Sequence, residues 1–189
     1  MKIIFTLIIV ILTFHSIGQK SDSLFVSTSE VKSFFHDTRK IINGGKDFFY
    51  LCDKPTNISF PINTKKLRQF LKTFSLDSFF TKNDIEVIVK QIKQSKGVVW
   101  KSLYIDSTIF LRRSYMDSIF HSPDPIIRKG FKLPVHYFLT FPLFSKDKLN
   151  CYIDAWYWCG RVCGQQTTYI FKFVKGHWVI HRIFYGAVS

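Results

Sequence analysis

The sequence predicts an α+β fold in which N-terminal helices pack on a C-terminal antiparallel β-meander of three to four strands. Between residues 27 and 97, apolar side chains recur every three or four positions, which is typical of amphipathic helices. From residue 135 to the C-terminus, aromatic and β-branched runs alternate with turn residues, which is typical of strands. Helices first and a sheet last indicate the α+β class. Because no internal repeat or linker is visible, we expect one domain over residues 19–189.

Residues 1–18 predict a signal peptide. Lys2 precedes an apolar run over residues 3–14, and Ser16 and Gly18 are small residues of the kind that a signal peptidase reads. An uncleaved membrane anchor is disfavoured because the run is shorter than the ~20 residues that span a bilayer. A lipoprotein is disfavoured because the first cysteine is Cys52. We therefore expect cleavage after Gly18, a periplasmic or secreted protein, and no transmembrane segment in the mature chain.

The chain is strongly basic. Its 189 residues carry a formal net charge of +14, but Lys and Arg occur in short, scattered groups. This pattern indicates a solvated basic surface, so we do not expect specific nucleic-acid binding. The hydrophobic content of 47% excludes a disordered chain, and the 21 Phe residues predict an aromatic core. For an exported protein of this charge, the candidate partners are an envelope protein, a peptide or a polysaccharide.

Three helices are predicted in the first half of the chain. The first begins at a capping box formed by Ser27 and Glu30. The second follows a cap at Asn63 or Thr64, and the third begins at Thr81. Both later helices carry an apolar stripe, which we expect to face the core because a single domain must bury its helices on something.

The middle of the chain is less regular. Residues 48–52 are predicted as a short strand, 114–120 as one or two helical turns, and 135–141 as the strand that starts the sheet. The stretch 98–113 fits either strand or turn and stays ambiguous.

The most informative stretch is residues 151–173, in which two aromatic runs flank a Cys-Gly-x-x-Cys-Gly turn. Placing Cys159 opposite Cys163 across a three-residue turn sets the register of a hairpin. Lys175-Gly176 then supplies the next turn, with Gly where a positive φ is wanted. The predicted meander therefore has strands at about residues 150–158, 166–174 and 177–185.

This register divides the meander into two faces. We assign the more apolar face to the core, against the helices. That core face comprises Cys151, Ile153, Ala155, Tyr157, Tyr169, Phe171, Phe173, Trp178, Ile180 and Phe184. We expect the outer face to be half exposed or covered in part by a loop. It carries Asp154, Trp156, Trp158, Thr168, Lys172, His177 and His181.

Four cysteines in an exported chain indicate disulfides. Three pairings are open: 52–151 with 159–163, 52–159 with 151–163, and 52–163 with 151–159. Directly opposed residues of an antiparallel pair lie within disulfide reach, so the hairpin favours a bridge between Cys159 and Cys163. That bridge would leave Cys52 to pair with Cys151.

Several segments together resemble a group of uncharacterised exported proteins of Bacteroidota. The segments are Thr81–Glu86 leading to Gln91, Phe141–Asp147, the Cys159-Gly160-x-x-Cys163-Gly164 turn, Gly176-His177-Trp178 and the terminal Ser189. The resemblance spans residues 76–189 and departs from the group at Gln165-Gln166 and at Ala187-Val188. The group has no assigned activity. The resemblance therefore implies export and the hairpin, and it identifies no catalytic residue.

The outer face of the meander supplies the candidate functional residues. Trp156 and Trp158 project together beside Asp154, with His181 on the same face. Aromatic platforms of this kind suit sugars, peptides or protein partners. We therefore interpret the chain as a non-catalytic binding or structural domain of the cell envelope, with these four residues in its binding surface and no cofactor.

Two alternatives use the same face, an envelope hydrolase and a metal-binding domain. Asp154 and His181 would be an acid–base pair, with Thr168 between them, although the sequence contains no hydrolase or phosphate-binding motif. The spacing Cys159-x3-Cys163-x13-His177-x3-His181 loosely matches a zinc finger. Histidines four residues apart on a strand, however, lie ~13 Å apart, too far for one zinc ion. The sequence thus predicts no catalytic residue and no metal site.

Overall fold

The structure, a computed structural model, describes residues 26–47, 49–56, 61, 63–103, 105, 107–120, 135–160 and 163–188. The predicted signal peptide lies outside the described residues. The helices are α1 (Thr28–Ile42), α2 (Thr64–Thr73), α3 (Ile85–Ser95) and α4 (Arg113–Phe120), with a short 3-10 helix over Trp100–Leu103. Among the described residues, no helix has the length and apolar character needed to cross a membrane.

Seven strands form one mixed sheet. They are β1 (Phe49–Cys52), β2 (Thr108–Leu111), β3 (His136–Leu139), β4 (Leu143–Phe144), β5 (Asn150–Gly160), β6 (Cys163–Val174) and β7 (His177–Val188). Their order is β2-β1-β3-β5-β6-β7, and β4 also pairs with β5. The strand β1 is parallel to β2 and β3, whereas every other pair is antiparallel.

The predicted combination of helices and a sheet is confirmed, but a meander of three to four strands is too simple a description. The meander β5-β6-β7 is only one part of the seven-stranded mixed sheet. The predicted strands at 48–52 and 135–141 are found as β1 and β3, but all of β1 to β4 are at most four residues long, and β1 pairs in parallel with partners far away in sequence. Parallel pairs have no hairpin turn between them, so they leave no local sequence signal.

The predicted register of the meander is confirmed along most of its length. Tyr157 pairs with Gln165, and Val174 pairs with His177, as expected. At the cysteine turn, Gly160 rather than Cys159 pairs with Cys163, because a bulge between Trp158 and Gly160 leaves Cys159 as the extra residue. The expectation that Cys159 directly opposes Cys163 is therefore wrong. The side chains of these two cysteines lie outside the described part, so their bridge stays a prediction.

The expected bridge between Cys52 and Cys151 is not compatible with the sheet. Leu51 of β1 pairs with Tyr137 of β3, and Tyr137 pairs with Tyr157 of β5. Cys52 therefore lies two strands away from β5, and its row across the sheet meets β5 five residues from Cys151. Two strand spacings of ~4.8 Å and five residues of ~3.4 Å separate them, whereas a disulfide reaches ~7 Å between Cα atoms. Both side chains are buried in the structure. Sequence reasoning placed Cys151 correctly on the core face but had no register for Cys52.

Both faces of the sheet are covered. On the first, α1 and the 3-10 helix pack against β5, β6 and β7, and the ring of Phe34 contacts four aromatic rings with centroids 5.3–5.6 Å away. The first core includes Phe34, Phe35, Trp100, Phe144, Cys151, Ile153, Phe171 and Trp178. On the second face, α2 and α3 bury Leu67, Leu71, Ile85, Ile88, Tyr152 and Ile170. The helices α2 and α3 thus form a second core on the outer face around Tyr152 and Ile170, where a loop cover was expected. Trp156 and His181 on the same face are exposed, in line with the expected half exposure.

One bulge in β7 moves a predicted core residue to the opposite face. Phe171 pairs with Ile180 and Ile170 pairs with Arg182, so His181 is the extra residue. The side chains of residues 182–185 therefore change face relative to an unbroken strand. Phe184, expected in the first core, therefore packs against the second.

The helices begin as their caps dictate. Ser27 and Glu30 form the predicted capping box, with Glu30 N–H donating to Ser27 Oγ at 3.2 Å and Ser27 N–H donating to Glu30 Oε2 at 2.7 Å. The helix α3 begins at Ile85 rather than at Thr81. The reason is Asp84, whose Oδ2 accepts the Thr81 N–H at 2.6 Å and the Thr81 hydroxyl at 2.8 Å, closing a turn ahead of the helix.

Asp84 also joins α3 to β4 as part of a cluster that we name the β4 clamp, formed by Asp84, Gln91, Phe144 and Lys146. The Lys146 N–H donates to Asp84 Oδ1 at 2.6 Å. The Gln91 side chain pairs with the backbone of Phe144, donating to its carbonyl and accepting from its N–H, both at 2.9 Å. Residues 81–91 and 144–146 thus meet in the structure, where they hold a two-residue strand in place.

Candidate binding pocket

A cavity of about 300 Å³ opens on the second face, between α2 and the meander. We name it the Asp154 pocket. Its lining consists mainly of aromatic side chains around a single carboxylate. The lining residues are Phe70, Phe74, Leu76, Tyr152, Asp154, Gln166, Thr168, Phe184, Tyr185 and Gly186. A concave, largely apolar site with a few polar groups is the usual form of a small-molecule pocket.

The polar floor of the pocket follows from strand register. Asp154 and Tyr152 are two residues apart on β5 and so share a face, and Thr168 lies directly opposite Asp154 on β6. The Thr168 hydroxyl donates a hydrogen bond to Asp154 Oδ1, and the Tyr152 phenol is also hydrogen-bonded to this carboxylate. Asp154 is only 7% exposed. Two side-chain hydroxyls thus hold a buried carboxylate at the base of an aromatic cavity.

Burial sets the proton affinity of these groups. It raises the pKa of the Asp154 carboxyl, while the hydrogen bonds from Thr168 and Tyr152 act in the opposite direction. Burial also raises the pKa of the Tyr152 phenol well above its usual value, and the adjacent Asp154 charge adds to this increase. The phenol therefore keeps its proton at neutral pH and serves as a donor.

The wall of the pocket on the helix side is built by α2. Asn63 caps this helix by accepting from the N–H groups of Lys65 and Lys66, and Leu67 and Leu71 anchor it on the second core. Phe70 and Phe74 follow at helical spacing, with ring centroids 4.6 Å apart. The Phe74 side chain is 49% exposed, which places an aromatic ring at the mouth of the pocket.

The opposite wall depends on a glycine in β7. A Cβ atom at Gly186 would lie 3.1 Å from Gln166 Cβ and 3.3 Å from its Oε1, closer than such contacts normally come. Glycine at this position therefore leaves room for the Gln166 amide at the edge of the cavity.

Of the four predicted binding residues, only Asp154 lines the pocket. Trp156 lies two residues along the same face and is 41% exposed. Trp158 is half-buried, and its ring lies 5.0 Å from that of His136. His181 occupies the bulge and packs against Phe79, with ring centroids 4.9 Å apart. The pair of tryptophans is therefore not the wall of this cavity.

Asp154 and His181 do not form the acid–base pair considered from the sequence. Asp154 of β5 pairs with Thr168 of β6, and Thr168 pairs with Phe184 of β7. His181 lies three residues before Phe184 on β7, a distance of ~10 Å along the strand. The wall residues Phe70, Phe74, Phe184 and Tyr185 were not predicted. The aromatic pair on α2 was visible at its i, i+4 spacing, whereas Phe184 required knowledge of the bulge.

Among the described residues, no cluster of three or more His, Cys, Asp or Glu side chains has the geometry of a metal site. His177 Nδ1 instead lies 3.7 Å from Asp37 Oδ1, at the contact between β7 and α1. The side chains of Cys159 and Cys163, which complete the zinc-finger spacing, fall outside the described part of the chain.

No protein-family model matches the chain, no curated protein matches it, and no solved structure matches it. The proposed function of the protein therefore rests on the chemistry of the pocket.

Proposed function

We propose that the protein is a non-catalytic binding domain that holds a small, largely apolar ligand in the Asp154 pocket. The observation that carries this proposal is the buried carboxylate of Asp154, which lines an aromatic cavity and is held there by the side-chain hydroxyls of Thr168 and Tyr152. Placing a carboxylate in such surroundings costs free energy unless it is fully paired. A ligand that donates an N–H or O–H group to Asp154 would complete that pairing.

The shape and lining of the cavity support a ligand of limited size. Its volume of about 300 Å³ falls at the lower end of the range for small-molecule sites. Phe70, Phe74 and Phe184 supply flat apolar surface on which an aromatic ring or the face of a sugar ring can stack. The ligand therefore has a flat apolar body and at least one hydrogen-bond donor, as do many sugars and aromatic side chains of peptides.

A fluorescent probe tests this proposal directly. N-phenyl-1-naphthylamine is neutral, carries one N–H group, and becomes bright in apolar surroundings. We expect saturable binding to the wild-type protein. Gly186→Leu should weaken binding by roughly tenfold, because the new side chain fills the cavity beside Gln166.

The matched control is Gly97→Leu, since an added Cβ at Gly97 meets nothing within 4 Å and the position is outside the pocket. Circular dichroism establishes that both variants are folded. Phe74→Ala, which removes a half-exposed wall, provides a second variant and should also weaken binding. Equal affinity in wild type, Gly186→Leu and Phe74→Ala would overturn the proposal.

We also propose that the domain is exported to the cell envelope. The N-terminal pattern of Lys2, an apolar run and Gly18 supports export, as does the resemblance over residues 76–189. Expression with the native N-terminus, followed by mass measurement of the product outside the cytoplasm, tests this. We expect a mature chain that begins at Gln19, and a full-length cytoplasmic product would contradict it.

Acid–base catalysis is the second candidate, and one observation favours it. Burial raises the pKa of Asp154, and a carboxyl group that takes up a proton more readily than usual is a recurrent feature of catalytic acids. An assay with nitrophenyl esters and glycosides, comparing wild type with Asp154→Asn, separates the two functions. Turnover that the variant loses would favour catalysis, whereas equal signals from both proteins would exclude it.

A further inference from the structure

Three basic side chains surround the ring of Phe79 beside the Asp154 pocket. Lys172 Nζ lies 5.6 Å from the ring centroid, Arg182 Cζ lies 5.5 Å from it, and the His181 ring lies 4.9 Å from it. We name Lys172, His181 and Arg182 the cation rim. Cation–π contacts of this length fix long, flexible side chains in place.

Strand pairing brings the cation rim together. Ile170 pairs with Arg182, and Lys172 is two residues further along β6, so the two cations are diagonal neighbours on the same face of the sheet. The bulge that displaces His181 also determines that Arg182 points to this face. Like charges so placed repel one another. Burial lowers the pKa of His181, and the nearby charges of Lys172 and Arg182 lower it further.

The charge balance around the rim is positive over the part of the chain that the structure describes. Among the described residues, no carboxylate lies within ion-pair distance of Lys172 or Arg182. Concentrated like charge without a counter-charge destabilises the folded protein unless an anion binds there.

The rim and the pocket share a wall. The guanidinium of Arg182 lies over Phe184 as well as Phe79, with 5.6 Å between Arg182 Cζ and the Phe184 ring centroid. Phe184 itself lines the Asp154 pocket. A ligand seated in the pocket would therefore extend past Phe184 to within reach of the Arg182 side chain.

We propose that the ligand is an amphipathic anion, whose apolar body fills the Asp154 pocket and whose carboxylate, sulfonate or phosphate group binds Lys172 and Arg182 at the rim. This inference rests on the proposed binding function and adds the charge of the ligand to it. The carboxylate of Asp154 repels an anion at the floor while the rim attracts one, so the two ends of the site fix the orientation of the ligand. The net charge of +14 further favours approach of an anion.

A matched pair of dyes tests the proposal. 1-Anilinonaphthalene-8-sulfonate has the same rings and N–H group as N-phenyl-1-naphthylamine and adds one sulfonate. We expect the wild-type protein to bind the sulfonate roughly fivefold or more tightly than the neutral dye at low ionic strength, with a ratio that declines as salt screens the rim.

The double variant Lys172→Gln/Arg182→Gln should reduce this ratio of sulfonate to neutral-dye affinity to about one. Lys40→Gln/Lys46→Gln removes the same charge from exposed positions at the end of α1, on the other face of the sheet, and should preserve the ratio. Arg182→Lys keeps the charge and should retain most of the preference, even if the double variant proves unstable.

The outcomes separate the two proposals. If the neutral dye does not bind, or if Gly186→Leu does not affect it, the binding function itself is wrong. If the neutral dye binds in the pocket but the sulfonate binds no more tightly, the anion proposal fails and the binding function stands. A loss of preference in Lys40→Gln/Lys46→Gln as large as in Lys172→Gln/Arg182→Gln would also overturn the anion proposal, because net charge alone would then explain it.

Discussion

Two carboxylates, Asp84 and Asp154, are buried to nearly the same extent, at 5% and 7% exposure, yet the protein uses them differently. Asp84 accepts two backbone N–H groups and one hydroxyl, from Thr81 and Lys146. Asp154 is held by the side-chain hydroxyls of Thr168 and Tyr152 and faces a cavity. The first carboxylate joins segments of the chain, whereas the second lines an open space.

This difference indicates which of the two buried carboxylates stabilises the fold. Backbone N–H groups cannot change hydrogen-bond partner without disrupting the local structure of the chain. A carboxylate that accepts their hydrogen bonds is therefore part of the architecture. Side-chain hydroxyls can turn towards other partners. A carboxylate that depends on them contributes less to stability, and such sites are where proteins give up stability for binding.

The largest expected effect is from Asp84→Ala. It leaves the Thr81 and Lys146 N–H groups without their acceptor in a part-buried site, so we expect a loss of about 3 kcal/mol or more in the free energy of unfolding. Urea denaturation measures it, with exposed Asp77→Ala as the control. Asp154→Ala should cost less than half as much. Equal losses from the two substitutions would refute the distinction between the carboxylates.

The next effect concerns the other half of the β4 clamp. Gln91→Leu keeps the size of the side chain but leaves the N–H and carbonyl of Phe144 unpaired and buried, so we expect a loss of about 2 kcal/mol. Gln69→Leu makes the same chemical change at an exposed position of α2 and should be close to neutral. The same urea titration compares them, and similar stabilities for both variants would show that the clamp does not support β4.

Asp154→Asn should change the pH dependence of stability. The folded pKa of Asp154 is raised by burial, so the wild-type fold is favoured below the unfolded value near 3.8 and loses that advantage as pH rises through the folded pKa. Asparagine does not titrate, so the variant loses no stability at this position as pH rises. The stability of the variant relative to wild type should therefore increase between acid and neutral pH, by about 1.4 kcal/mol for each unit of the shift.

Urea titrations of both proteins between acid and neutral pH measure this difference. The carboxyls of Glu30 and Asp147, whose pKa values are lowered, titrate in both proteins and cancel in the comparison. A stability difference that stays constant with pH would show that Asp154 is not desolvated in the folded protein.

The smallest effect is spectroscopic and concerns the exposed tryptophan next to the pocket. Trp100 and Trp178 are buried, at 0% and 7% exposure, while Trp156 is 41% exposed. Iodide should therefore quench only part of the fluorescence, and Trp156→Phe should remove most of the quenchable part. Trp158→Phe is the control and should remove less, since that ring is half-buried against His136. An unchanged quenchable fraction in Trp156→Phe would contradict the placement of this side chain.

The parts of the fold that the sequence predicts are those encoded by neighbouring residues. The capping box at Ser27, the cap at Asn63 and the turn at Lys175-Gly176 are local, and all are found in the structure. The parallel pairs of β1 join segments that are far apart in the chain, and no local sequence pattern predicts this pairing. Local chemistry thus predicted the helices, the meander and the strands β1 and β3, whereas the parallel pairing of β1 depends on tertiary packing.

The same limit applies to the pocket. Asp154 was predicted as a site residue because strand alternation places it on the outer face with certainty once the hairpin is known. Phe184 was misplaced because one extra residue in β7, His181, reverses the alternation that follows it. A bulge is stabilised by surrounding contacts, so it has no signature in the strand that contains it.

The strand order also determines when the chain is able to fold. The three longest of the described strands, β5, β6 and β7, are adjacent in sequence and lie at the C-terminal end, over residues 150–188. The strands β1 and β2, which are synthesised much earlier, join the sheet only through β3 and β5. Residues 150–188 therefore form most of the platform on which α1, α2 and α3 dock. Docking of these helices therefore requires that residues 150–188 have already been synthesised.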